Sequence, residues 1–155
     1  GPEAYNRMYD KIGNLNRLLA WGHARALENL LEKSPECPEV IADKFGDERL
    51  ILNALMEKGR NIKVTQRTKA EADVAVAAAS ILARAGFIKK LEEMGAPFSV
   101  TLPRGASAAV ESTATGIIEA GGADRLHTIA KMHFKTAYKV LGLPMPDKPD
   151  YQKYR

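Results

Sequence analysis

Two acidic residues, Asp43 and Glu71, stand where functional carboxylates are expected in an α/β protein. Asp43 ends the short apolar run EVIAD (39–43), whose length and β-branched content indicate a buried strand. Glu71 follows a second such run, NIKVT (61–65), and precedes a long apolar helix. Neighbouring parallel strands, about 5 Å apart, end at the same edge of a sheet, so we expect the two carboxylates to converge there.

Convergent carboxylates favour Mg²⁺ or Mn²⁺, which prefer oxygen ligands. Two such ions about 3.5–4 Å apart stabilise the attacking and leaving oxygens in phosphodiester cleavage. The single cysteine, Cys37, and the three histidines show no zinc-ligand spacing, and no phosphate-binding loop motif is present. His23, His127 and His133 fall on helical patterns, which predicts structural or surface roles for them rather than catalytic ones.

The stretch around Glu71 also has a purely structural interpretation. Thr68 followed three residues later by Glu71 matches a capping box at the start of a helix. The segment VAVAAASILA that follows is apolar on every side and rich in alanine, which predicts a buried helix up to about Met94. Both interpretations place Glu71 at the first turn of that helix.

The elements that position these acids follow from periodicity and from Gly and Pro breaks. We predict a short helix or turn over 3–13 and a helix from Asn14 or Asn16 to about Glu32. Further helices are predicted over 48–58, from the segment after the second strand to about Met94, and over 106–120 and 123–141. Strand, helix and strand in succession predict a right-handed crossover and parallel pairing. The fold class is therefore α/β, with two parallel strands and about six helices. Residues 1–141 form the domain, and residues 142–155 are predicted to be a proline-rich extended tail.

Composition limits the functional classes. The chain of 155 residues is 45% hydrophobic, which is enough for one domain with a core. It contains no run of 18 apolar residues, so the sequence predicts no membrane-spanning helix. The net charge of +4 is a mild bias towards polyanions such as nucleic acid. One cysteine without an internal partner fits a reducing compartment, which predicts a cytoplasmic location.

The segment TKAEADVAVAAASILAR resembles the signature of the type 2/type 3 ribonuclease H superfamily. Glutamate at position 71, where type 2 enzymes usually carry aspartate, resembles the type 3 branch, ribonuclease HIII. NLNRLLAWGHARALENL, LPRGAS and KMHFKT are also similar to segments of that branch. The resemblance implies a ribonuclease H-like fold and hydrolysis of the RNA strand of RNA/DNA hybrids by two metal ions and four acids.

The resemblance also implies roles for individual residues. Asp43 matches the third acid of the family and Glu71 the fourth. Asn16, with Asn14 as its neighbour, stands where the family contacts a phosphate. Lys69 precedes the acid as in the family motif. Arg104 is also implied to contact the substrate, and it stands where the family usually has lysine. Asp73 is a weaker candidate for a metal ligand than Asp43 and Glu71.

One departure from the family pattern limits the prediction. The first family motif, an Asp-Glu pair before a glycine turn, and the first three strands have no counterpart in this sequence. We therefore expect the chain to be the C-terminal portion of a catalytic domain, nearly inactive alone, with the missing N-terminal part of the same enzyme as its partner. The alternatives are a nucleic-acid-binding module that does not cleave, or a fragment completed by another chain at its open strand edge.

Overall fold

The computed structural model describes residues 1–145, and it confirms the predicted α/β fold class. Within this range there are seven α-helices and two β-strands. Their bounds are α1 Pro2–Ile12, α2 Leu15–Lys33, β1 Glu39–Asp43, α3 Glu48–Ala54, β2 Lys63–Arg67, α4 Val74–Gly95, α5 Ala108–Gly121, α6 Leu126–Ile129 and α7 Lys135–Leu141. Most of the predicted tail lies outside the described residues. None of the helices in residues 1–145 combines the length and the apolar character needed to span a membrane.

The two strands pair in parallel, as predicted. The register runs from Glu39 opposite Lys63 to Asp43 opposite Arg67. Beyond the last pair, the Lys44 N–H donates to the Arg67 carbonyl at 3.1 Å. Strand β2 begins two residues later than the sequence pattern indicates, so both strands end level with one another. Asp43 therefore lies at the shared carboxyl edge of the sheet.

The chain divides into two compact units, one of residues 8–88 and one of residues 1–7 with 89–145. The unit of residues 8–88 has its core between α2, β1 and α3. Small side chains on α2, Ala20 and Ala24, are almost completely buried in one cluster with Ala42 of β1, and they let α3 pack closely, with its fully buried Ile51 in the same cluster.

A buried carboxylate, that of Glu28 on α2, holds the turn that leads into β2. Its oxygens accept hydrogen bonds from the Gly59 N–H at 2.7 Å and the Lys58 N–H at 3.0 Å. A Cβ atom at Gly59 would lie 3.0 Å from the Leu55 Cδ2 and 3.1 Å from the Glu28 Oε1, so a larger residue there would push against the side chains that hold the turn. Burial raises the pKa of Glu28, but the hydrogen bonds from Gly59 and Lys58 outweigh that effect and lower it.

Replacing Glu28 by alanine should lower the Tm at pH 7 by roughly 5 °C, because two backbone N–H groups lose their acceptor. Since the folded-state pKa of Glu28 lies below its ordinary value of 4.5, its contribution is present above that pH and is lost as the pH falls through the lower folded value. The Tm difference between wild type and Glu28→Ala, followed by circular dichroism, should shrink as the pH falls below 4.5 and through the lower folded pKa. Glu36→Gln, at an exposed position, is the control and should leave the Tm unchanged.

In the other unit, the predicted helix over 123–141 is broken, which corrects the sequence expectation. A 3₁₀ turn over Ala123–Arg125 leads into α6, which ends at Ile129, and α7 begins only at Lys135. The side chain of Asn6, which is buried, donates to the Ala130 carbonyl at 3.0 Å and accepts from the Met132 N–H at 3.0 Å. An amide from a distant helix thus satisfies backbone groups that would otherwise bond within one continuous helix.

Helix α4 differs most from its prediction, because the sequence predicts a buried helix and the structure shows an exposed one. Val74 is 83% exposed, Ile81 70% and Leu82 74%, and Phe87 is also more than half exposed. A helix that is apolar on all sides needs neighbours on all sides. Residues 1–145 do not supply these neighbours, so the apolar composition of α4 exceeds what its contacts within the described residues require.

Candidate active site at the sheet edge

Asp43 and the segment that carries Glu71 meet at the carboxyl edge of the sheet. The Oδ1 atom of Asp43 accepts a hydrogen bond from the Ala70 N–H at 3.2 Å. Ala70 is fully buried and directly precedes Glu71 in a 3₁₀ turn over Ala70–Ala72. Both acidic residues are themselves exposed to solvent. The structure therefore brings the two sequence-predicted acids to one solvent-accessible edge.

A left-handed residue makes this meeting possible. Lys69 has φ 55° and ψ 41°, one of two non-glycine residues with positive φ among residues 1–145. This conformation is unfavourable for a residue with a side chain and occurs mainly where surrounding structure enforces it. Here it turns the chain sharply after β2, so that the next N–H points at the Asp43 carboxylate. The side chain of Lys69 is exposed at the same edge.

The predicted capping box is wrong, because the helix begins later than the sequence pattern indicates. Helix α4 starts at Val74, and the Oδ1 of Asp73 accepts from the Ala75 N–H at 2.9 Å. Asp73 is thus the capping residue, and its other oxygen pairs with Arg67 at 3.2 Å. Glu71 is left outside the helix and free of a capping role. Asp73, the weaker metal candidate, already has two structural partners.

His23 lies near Asp43, a neighbour that the sequence pattern did not reveal. The His23 ring stacks on that of Phe45, with centroids 5.0 Å apart. Partial burial lowers the pKa of His23, although the nearby Asp43 carboxylate acts in the opposite direction. The net effect is a lowered pKa, so the imidazole is mostly neutral at pH 7.

The four residues predicted to contact substrate fall in different settings. Asn14 caps α2, its Oδ1 accepting from the Arg17 N–H at 3.0 Å, so its side chain already has a structural role. Asn16 lies exposed in the first turn of the same helix. Lys69 lies at the sheet edge. Arg104 is exposed in the loop before α5, in the unit that contains residues 89–145. Their contacts with substrate stay predictions.

The chemistry of the two acids suits a divalent cation only in part. Carboxylate oxygens are the preferred ligands of Mg²⁺ and Mn²⁺. Within residues 1–145, however, no group of three or more His, Cys, Asp or Glu side chains is placed to hold a metal ion. Asp43 and Glu71 fit as part of a ligand set that needs further acids.

The family model described as ribonuclease HII matches residues 2–137, which is most of the chain. The chain belongs to the ribonuclease HII family. Its relatives include ribonuclease HIII of Protochlamydia amoebophila, 45% identical over 141 residues, which are 91% of this chain and 46% of that protein. Ribonuclease HIII of Chlamydia abortus is 44% identical over 140 residues, covering 90% of this chain and 47% of the relative.

Solved structures of the same family share the fold. The crystal structure of Bst-RNase HIII in complex with Mn²⁺ has a TM-score of 0.82 and 33% sequence identity, over 91% of this chain and 47% of that one. The Q54A mutant of Bst-RNase HIII gives a TM-score of 0.80 at 30% identity. The resemblance to ribonuclease HIII and the ribonuclease H-like fold class are thereby confirmed. The chain spans about half the length of the ribonuclease HIII relatives it matches.

Proposed function

We propose that this chain is part of an endoribonuclease that hydrolyses the RNA strand of RNA/DNA hybrids. The observation that supports the proposal is the hydrogen bond from the Ala70 N–H to Asp43, which joins Asp43 to the residue directly before Glu71 in a member of the ribonuclease HII family. The relatives are named ribonuclease HIII, and one solved relative is a Mn²⁺ complex. A metal-dependent nuclease is the function that best unites these observations.

Asp43 and Glu71 are proposed to hold Mg²⁺ or Mn²⁺ together with acids from outside this chain. Such ions, when bound in pairs, activate water and stabilise the charge that develops on the phosphate. The chain's own contribution is to place the two residues: the sheet register sets the position of Asp43, and the left-handed Lys69 directs the segment that carries Glu71 towards it. A backbone held in this way reduces the reorganisation needed when an ion binds.

On the substrate side we propose that Asn16, Lys69 and Arg104 contact phosphates of the hybrid, with Asn14 supporting the first turn of α2. Cationic and amide side chains that contact the backbone position a duplex without reading its sequence. Hybrid helices are recognised mainly through shape, phosphates and 2′-hydroxyls. The preference is therefore for stretches of ribonucleotides, not for a base sequence.

We further propose that these 155 residues need the other half of the enzyme for activity. Two acids supply only part of the ligand set for paired ions, and the apolar faces of α4 are exposed. Both features suit a chain completed by a segment that brings additional acids and covers α4. The cytoplasmic location predicted from the single cysteine belongs to the same proposal.

The test uses a fusion protein, in which the half of the Protochlamydia ribonuclease HIII that this chain does not match is joined to the chain. With Mn²⁺ or Mg²⁺, this protein should cut the labelled RNA strand of an RNA/DNA hybrid at internal positions, and it should leave single-stranded RNA and duplex DNA intact. Chelation with EDTA should abolish cleavage. A gel shift run in parallel decides the main alternative, since binding of the hybrid without any product would instead indicate a non-catalytic binding module.

A further inference from the structure

A basic groove lies between the end of α1, the first turns of α2 and helix α3, within the unit of residues 8–88. Its volume is about 400 Å³, and it is lined by Lys11, Ile12, Arg17, Trp21, Leu50, Asn53 and Ala54. This volume is in the range of sites for a nucleotide-sized ligand. We propose that this groove binds one nucleotide of single-stranded nucleic acid, with its base on Trp21 and its phosphate between Lys11 and Arg17.

The charge of the groove favours an anionic ligand. Its lining includes two cationic side chains, Lys11 and Arg17, and no acid. Neither of these cations forms an ion pair within the described part of the chain, whereas seven other lysine and arginine residues there do. Two cations without anionic partners beside one cavity supply the electrostatic part of a phosphate site.

The rest of the lining suits a planar, partly apolar group. Trp21 is 37% exposed, and the guanidinium carbon of Arg25 lies 5.9 Å from its ring centroid. Ile12, Leu50 and Ala54 add aliphatic surface, and Asn53 adds an amide that both donates and accepts hydrogen bonds. An accessible indole beside cations is the combination by which proteins bind single-stranded nucleic acid, with bases stacked on the ring.

The groove is held in shape by the fold around it. Gly13 takes φ 64° between α1 and α2, and its N–H donates to the Tyr9 carbonyl at 2.7 Å, which closes α1 just after Lys11 and Ile12. Asn14 caps the first turn of α2 through the Arg17 N–H. On α3, the fully buried Ile51 anchors the helix that carries Leu50 and Asn53. The backbone that carries the lining residues is thus held by the fold itself.

The groove is distinct from the acids of the sheet edge. Trp21 and His23 are two residues apart on α2, which places them roughly 200° apart around the helix axis. The His23 side chain lies close enough to Asp43 for the carboxylate to act on its pKa, so it faces the sheet edge. Trp21 therefore points to a different side of the helix. The inference goes beyond hybrid cleavage, and it does not depend on either Asp43 or Glu71.

Trp21 is the single tryptophan of the chain, so its fluorescence reports on this groove alone. In EDTA and at low salt, eight-nucleotide oligo-dT or oligo-U should quench the emission in a saturable titration. Lys11→Glu and Arg17→Glu should each weaken binding by about tenfold and should lower the slope of log affinity against log salt by about 1. The matched control is Lys33→Glu, at the exposed far end of α2, which should change the affinity less than about twofold.

Other results would overturn the inference. Absence of quenching with either oligonucleotide would remove the site, and equal quenching by a polyglutamate peptide would show that the ligand class is wrong. Equal weakening by Lys33→Glu would mean diffuse attraction instead of a groove. Loss of quenching in Asp43→Asn would place the ligand at the sheet edge. Because EDTA removes divalent ions, failure here leaves the cleavage test of the proposed function unaffected, and the reverse also holds.

Discussion

Asparagine in place of Asp43 should lower hybrid cleavage by the completed enzyme at least about 100-fold. Replacing even a residue that only supports a metal ligand typically lowers metal affinity or activity by about 10–100-fold, and Asp43 is proposed to be a ligand itself. The exchange is nearly isosteric. The amide oxygen keeps an acceptor for the Ala70 N–H, so the turn before Glu71 should hold its shape. What is lost is the negative charge that attracts the cation.

The measurement is kcat on a labelled hybrid at saturating substrate, over a range of Mn²⁺ concentrations. Asp10→Asn, the same exchange at an exposed position of α1, is the matched control and should retain full activity. The Tm of Asp43→Asn should stay within a few degrees of the wild-type value. If cleavage by Asp43→Asn equalled that of the control at every metal concentration, Asp43 would have no part in metal binding.

The parts of the fold that sequence reasoning predicted correctly depend on local patterns. EVIAD is short and apolar, and it forms β1 over the predicted residues. Parallel pairing follows from the intervening helix, so the placement of Asp43 at the sheet edge is predictable. The position of Glu71 beside it is also predictable, although the left-handed Lys69 that produces it leaves no signal in the residue type.

The errors arise where distant groups decide the structure. The break between α6 and α7 depends on Asn6, more than a hundred residues away in sequence, which satisfies backbone groups at 130–132. The start of α4 depends on which residue caps it, and Asp73, which is held by Arg67, takes that role in place of Thr68. The groove around Trp21 needs α3 as its far wall, and no spacing along the chain reveals that contact.

The burial of α4 is a different kind of error, because the physical premise is sound and residues 1–145 do not supply the neighbours that an apolar helix needs. An apolar helix in water exposes surface that would gain about 25 cal/mol per Å² on burial. Large exposed apolar patches mark interaction sites. Since the chain spans about half the length of its relatives, the other half is the occupant we propose for this face.

We therefore expect the 155-residue chain alone to cleave a hybrid at least about 100-fold more slowly than the chain mixed with the separately produced other half of the Protochlamydia relative. The reason is that paired ions need more acids than Asp43 and Glu71 provide. The measurement is the cleavage rate in Mn²⁺ as the second polypeptide is titrated, with binding followed separately by light scattering. Full activity of the chain alone, lost in Asp43→Asn, would contradict the expectation.

A single substitution on α4 tests whether the exposed face of this helix binds the other half of the enzyme. Leu82→Glu should weaken association with the other half by on the order of 100-fold, because a carboxylate would have to leave water at the interface. The Tm of the isolated chain should change little, since Leu82 is already 74% exposed. Leu30→Glu makes the same exchange at a leucine of α2 that is 62% exposed, and it should leave association intact. Equal loss of association in both variants would mean that the added charge prevents assembly, and not a change in the α4 face. A large fall in Tm for Leu82→Glu would mean that α4 packs within this chain and not against a second polypeptide.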